Sequence, residues 1–310
     1  MTTDSASLAG MLRAGRHALA RYTGTLLAVF SAQLVLTLMV IFAMAGVLAS
    51  AFATRPLFDR AVDGDLALWI PLLRDHRALF SALGWMGVGA ALLWLVLSWF
   101  LGAGLIGVFA DRPDGRAATA RAFGANGASA FLPLLRLAVL SAPAYVVVAL
   151  ALQLGLGAVS SRLEYALSLR SLLCWAALGA APGALLLHLF WTIGDFARAE
   201  LVMRRDSHGV TVLAAYARAI SYVTRNPRTL VHAGFGWLLI AAVSTGYVLA
   251  SFGQPMVGGN SAITLLIVRE GVALVRLAIR AAMIAGQVEA TRERPCPVVA
   301  APPRRGLDTA

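Results

Sequence analysis

The stretch "IVREGVALVRLAIRAAM", residues 267–283, sets Arg269, Glu270, Arg276 and Arg280 in an otherwise apolar run. A guanidinium offers five donors to an anion, and a carboxylate can balance its charge. At 100° per residue the three arginines fall within about 40° of each other, as one helical stripe. An arginine at the centre of a membrane helix costs at least ~2.5–3.5 kcal/mol on insertion scales, so the stripe is expected to face the interior of a bundle. Counted from an outer cap at Asn260, Arg269 lies about 12 Å deep, Arg276 about 22 Å and Arg280 about 28 Å, in a hydrocarbon layer about 30 Å thick. Arg280 then snorkels to the inner phosphates and Arg276 nearly does. Arg269 and Glu270 cannot. Asp195 is the expected partner of Arg276 or Arg280, and Gln33 or Gln153 would share a polar centre with Arg269 and Glu270. Two accounts fit this pattern: a salt-bridge network joining helices, or a basic pocket for an anionic substrate or lipid head group.

His188 belongs to the same candidate set. It lies seven residues before Asp195, about 20° from the same helical face, yet too far along the axis for a direct hydrogen bond. An intramembrane histidine either serves a site or bonds a neighbouring helix. The other histidines are scattered, and the chain has no phosphate-binding glycine loop, helical zinc motif or nucleophile elbow. Cys174 and Cys296 fall on opposite sides of the membrane, so neither a disulfide nor a metal site follows. No cofactor and no enzymatic activity are expected. Pro143 and the Pro182–Gly183 pair sit mid-span, as in the broken helices of transporters or in helices bent only to shape a bundle. The glycines of 84–93 and 102–107 read as packing seams.

The elements that must carry these residues follow from composition. Hydrophobic residues make up 59% of the 310-residue chain and charged ones 13%, about half the usual share of a soluble domain. Charge-free intervals run from Arg21 to Arg55, Arg77 to Asp111, Arg136 to Arg162, Arg170 to Asp195 and Arg228 to Arg269. A span takes roughly 20 apolar residues, and "SFGQPMVGGNS" (251–261) breaks the last interval. The fold is therefore expected to be all-α: a polytopic bundle of six helices at about 25–52, 79–109, 137–160, 171–194, 229–252 and 261–288. Residues 1–294 form one transmembrane domain and 295–310 a disordered tail. Continuous apolar runs exclude a β-barrel. "ASAFA" (49–53) resembles a signal-peptidase site, but the run before it is too long for a signal peptide and reads as an uncleaved anchor.

The net charge of +11 comes from arginine alone, with no lysine. Seventeen arginines fall on one side of the six spans and six on the other, which puts both termini in the cytoplasm. The basic excess is a topology signal. Anionic head groups are its expected partner rather than nucleic acid, with a membrane protein as a further one. Arginine-only, alanine-rich usage points to a GC-rich bacterial genome, and with the six spans the expected location is the bacterial inner membrane.

The spans group into three hairpins entered from the cytoplasm. "LARYTGTLL" (19–27) and "VTRNPRTLV" (223–231) align Arg21 with Arg225 and Thr25 with Thr229, and "SAFLPLLRL" (129–137) keeps a proline in register with Pro227. In 206–227, Val212, Ala215, Tyr216, Ala219 and Tyr222–Val223 recur at helical spacing. That marks an interfacial helix whose Arg218 and Arg225 reach phosphates, or one that braces a hairpin; 115–129 reads the same way. Asp59, Asp63 and Asp65 fit a solvated outer loop, and Trp69 its contact with the membrane surface. "DFARAELVMRR" (195–205), "RNPRTL" (225–230) and the arginine-bearing last helix resemble bacterial six-helix membrane proteins, similar to the membrane domain found beside glycerophosphodiester phosphodiesterases. That resemblance implies three hairpins and no phosphodiesterase activity, because no catalytic domain accompanies them. The functional readings are an accessory protein binding lipid or partners, a transporter for an anionic or amphiphilic molecule, and a membrane-embedded enzyme.

Overall fold

The computed structural model describes residues 7–52, 69–165, 168–204, 211–251 and 259–293. The chain is all-α. In order its helices are α1 (Leu8–Arg21), α2 (Thr23–Phe52), α3 (Trp69–Asp75), α4 (Arg77–Asp111), α5 (Arg116–Ala158), α6 (Ser160–Glu164), α7 (Leu169–Met203), α8 (Val212–Arg225), α9 (Arg228–Ser251) and α10 (Gly259–Glu293). Six of them, α2, α4, α5, α7, α9 and α10, are long and apolar enough to cross a membrane. The protein is a multi-pass membrane protein. The expected Asp59, Asp63 and Asp65 loop, most of the 251–261 break and the 295–310 tail lie outside the described residues, as do the side chains of Trp69 and Asn260.

Two compact units divide the chain. The first holds 1–17, 103–235 and 282–310, and the second 18–102 and 236–281. The first has a polar interior: Thr119, Asn126, Thr192, Asp195, Glu200, Arg218, Thr229, His232, Gln287 and Thr291 are all buried there. The second is turned inside out. Val35, Met39, Phe42, Trp85, Leu92, Leu238 and Leu249 are exposed, as a helix surface solvated by acyl chains must be. Its small core sets Phe52 and Leu72 against Leu48, Leu79 and Phe80, with the His76 ring edge-on to Phe52 at 4.9 Å.

Within the first unit α5 and α7 form the expected middle hairpin. Gly155, Gly179 and Gly183 let their backbones almost touch: a Cβ on Gly155 would stand 2.1 Å from the Gly179 carbonyl oxygen, and one on Gly183 2.2 Å from Leu152 Cγ. Small residues four apart are the usual means of such approach in membranes. The seam expected in α4 is only half there. Among the described residues nothing lies within 4 Å of a Cβ on Gly84, Gly87, Gly89 or Gly102, whereas Gly104 meets Phe123 and Gly107 meets Asn126.

Helix ends depart most from expectation. α5 begins at Arg116 rather than near 137, so 115–129 is its first turns and not a separate interfacial helix. The alanine-rich sequence favours helix throughout. Thr119, Asn126, Ala130, Leu134 and Leu137 are buried at spacings of seven, four, four and three residues, one face of a helix, which anchors those turns and carries the helix past Pro133. The reversal from α4 takes 112–115, with Arg112 and Gly115 at φ 51 and 84. An arginine in that left-handed region is unusual. Here the Arg112 N–H bonds the Val108 carbonyl and its guanidinium pairs with Glu289. α1 is amphipathic. It buries Met11 and sets Gly15 against Ala282 of α10.

Candidate functional site

The six sequence-predicted residues divide between the units. Arg269, Glu270, Arg276 and Arg280 belong to the second, His188 and Asp195 to the first. The inward-turned stripe is not what α10 shows. Arg269 and Arg276 are exposed, and Glu270 and Arg280 are half-buried. From Thr264 to Gly271 only Leu265 and Glu270 are even partly covered among the described residues. Gln33 is half-buried and Gln153 exposed; among the described residues the side chains of Arg269, Glu270 and Arg276 have neither an ion pair nor a hydrogen bond. Arg280 differs. Its guanidinium lies 5.6 Å from the Trp237 ring centroid, an arrangement typical of the interfacial aromatic belt.

His188 takes the packing role. Its Nε2 lies 3.0 Å from the Leu230 carbonyl of α9, so the ring donates there and braces α7 on α9. Asp195 is 4% exposed. Its Oδ1 lies 3.4 Å from Arg198 Nη1, and its Oδ2 accepts from Gln287 Nε2 at 3.5 Å. Its own helix thus supplies one counter-charge.

The densest charge in the first unit was not anticipated. Glu200, 1% exposed, sits between two guanidinium groups: Arg204 Nε at 2.8 Å and Arg218 Nε at 3.0 Å from Oε1. These are charge contacts rather than aligned hydrogen bonds. Neither Glu200 oxygen accepts one, and Arg218 Nη2 donates none, among the described residues. The wheel position of Arg218 explains its burial. It follows Ala215 by three and precedes Tyr222 by four, which places it on the packed face of α8. The expectation that it reaches phosphates is therefore wrong, while Arg225 is exposed as expected. A detectable signal existed, since Glu200 and Arg204 stand at the i,i+4 spacing of a helical pair.

Nearby pairs extend the network. Glu289 meets Arg112 and, at 3.7 Å, Arg292, whose Nη2 also donates to the Ala110 carbonyl. Asn126 Nδ2 donates to Asp111 Oδ2 at 2.9 Å, and the Tyr222 hydroxyl to the Ala290 carbonyl at 3.1 Å. Burial pushes the Tyr216 phenol above its usual 10, opposed by a hydrogen bond with Ser141 and reinforced by Tyr145. The folded phenol therefore ionises later than the unfolded one. Its stabilisation is complete below pH about 10 and lost as pH rises through the folded value. Tyr216→Phe should lessen the alkaline fall in melting temperature; an unchanged fall would remove Tyr216 from that account.

Opposite charges tie α7 to α8 and the end of α4 to α10, and the Asn126–Asp111 hydrogen bond adds α5, so these polar contacts hold helix ends in register. Among the described residues no three His, Cys, Asp or Glu converge to hold a metal ion. No protein family, no curated protein and no solved structure matches the chain.

Proposed function

We propose that this protein is an accessory component of a bacterial cytoplasmic membrane, both termini inside, that engages anionic lipid head groups through α10. The carrying observation is Arg276, exposed and unpaired among the described residues. It lies one turn from Arg280, which rests on Trp237. Those four residues span only about 6 Å along the axis. A guanidinium on a long stem covers that distance and reaches the phosphates that Arg280 meets. The tight α5–α7 crossing at Gly155, Gly179 and Pro182 supports a structural part over transport. So does the use of the buried acids as ties between helices.

Each arginine at the surface is worth about 1 kcal/mol towards anionic lipid, or roughly fivefold in affinity. Native mass spectrometry of the purified protein with phosphatidylglycerol should therefore show Arg276→Ala retaining that lipid roughly fivefold more weakly, with phosphatidylcholine retention unchanged. Equal retention of phosphatidylglycerol by both proteins would discard the reading.

A further inference from the structure

We propose that the protein pairs with a second copy of itself along α10, Arg269 of each copy meeting Glu270 of the other. Both residues lie on a membrane-crossing helix and have no ion pair or hydrogen bond among the described residues. They cannot satisfy each other within one chain, because neighbours on a helix point about 100° apart. Nor can head groups reach them. Taking Arg280 on Trp237 as the inner interface, Arg269 lies eleven residues, about 16 Å, further along the axis, close to the middle of a ~30 Å hydrocarbon layer. Charges at that depth pair with protein groups.

A two-fold axis parallel to the helix converts the mismatch into complementarity. Let the line bisecting Arg269 and Glu270 point at the axis. Each residue then stands about 50° to one side of it. Rotation by a half turn sets the arginine of one copy opposite the glutamate of the other, at nearly equal depth. The pairing occurs twice, as an isologous interface requires. Leu266 and Ala273 fall within about 10° of the same line, above and below the charges. Leu266 is 39% exposed. Ala273 is small enough for two helices to approach closely. Arg276 stands about 70° from that line, off the contact, whereas Arg280, about 30° from it, would approach its own copy if the helices stayed parallel. A crossing centred between Leu266 and Ala273, at the ~20–40° common in membranes, carries the two Arg280 side chains apart. Any other partner would have to bring an acid and a base in mirrored order; a second copy does so by symmetry.

The test counts subunits of fluorescently labelled full-length chains in phosphatidylcholine–phosphatidylglycerol vesicles across a range of protein-to-lipid ratios. The wild type should give two-copy spots that dissociate on dilution. Arg269→Glu alone faces glutamate with glutamate, and Glu270→Arg alone faces arginine with arginine. Each should weaken self-association at least tenfold. Mixing the two single variants, labelled in different colours, should yield mixed pairs. The double exchange Arg269→Glu with Glu270→Arg should restore pairing within one kind of chain, which separates loss of the interface from failure to fold. Three outcomes overturn the proposal: a wild type that stays single at every ratio, reversals that pair as well as the wild type, or a double exchange that folds but stays single. Pairing tested this way does not depend on Arg276, so it stands or falls apart from the lipid-binding result.

Discussion

Glu200→Ala should be among the most damaging single substitutions in this protein, lowering stability by about 3–5 kcal/mol, as expected when one partner leaves a buried ion pair. The Arg218 side chain is only 8% exposed, and without Glu200 its charge would remain buried beside a cavity. Arg204, at 27%, can turn to water and would suffer less. The complementary variant is Glu200→Leu with Arg218→Met, which removes both charges and keeps the volume. Replacing a buried pair in that way is often neutral, so the double variant should recover most of what Glu200→Ala loses. Unfolding of the purified protein in mixed micelles, followed by tryptophan fluorescence, reads both. A Glu200→Ala protein as stable as the wild type would show that the triad holds nothing together.

The second large effect is expected at Gly155. Its absent Cβ would stand 2.1 Å from a backbone carbonyl oxygen of α7, and a carbonyl inside a helix cannot rotate aside. Gly155→Ala must therefore push α5 and α7 apart, at about 1–3 kcal/mol for an overpacked contact, with Gly155→Val costing more. Gly157 on the same helix meets nothing within 4 Å among the described residues. Gly157→Ala should leave the melting temperature where it was or raise it slightly, since alanine is the better helix former. Equal melting of the two alanine variants would argue against the close crossing.

The spans were legible because hydrocarbon tolerates little else: a run such as 23–52 has no charge to place elsewhere. Their ends were less so. Nothing between Arg116 and Leu137 announces whether an alanine-rich stretch continues the helix or starts a new one, since both share the same local preference. What decides it is the burial of Thr119 and Asn126 against other segments, which is a tertiary fact. Direction was harder still. The spacing of Arg269, Arg276 and Arg280 defines one face, but no periodicity tells which neighbour that face meets, and inside a bilayer the apolar remainder gives no inward preference. His188 illustrates the opposite limit. Both its readings were drawn from the sequence, and only the Leu230 carbonyl distinguishes them.

Helix lengths carry one more implication. α5 has 43 residues and α9 only 24, about 64 Å and 36 Å of rise. The extra length of α5 is no reserve, because its turns before Leu137 carry Arg116, Arg121 and Arg136 and are pinned by the packing of Thr119 and Asn126. The thickness of the host membrane is therefore felt by the remaining turns of α5 and by α9 alike, and lipids with longer chains should strain the Arg228 end of α9 while the buried turns of α5 stay in place.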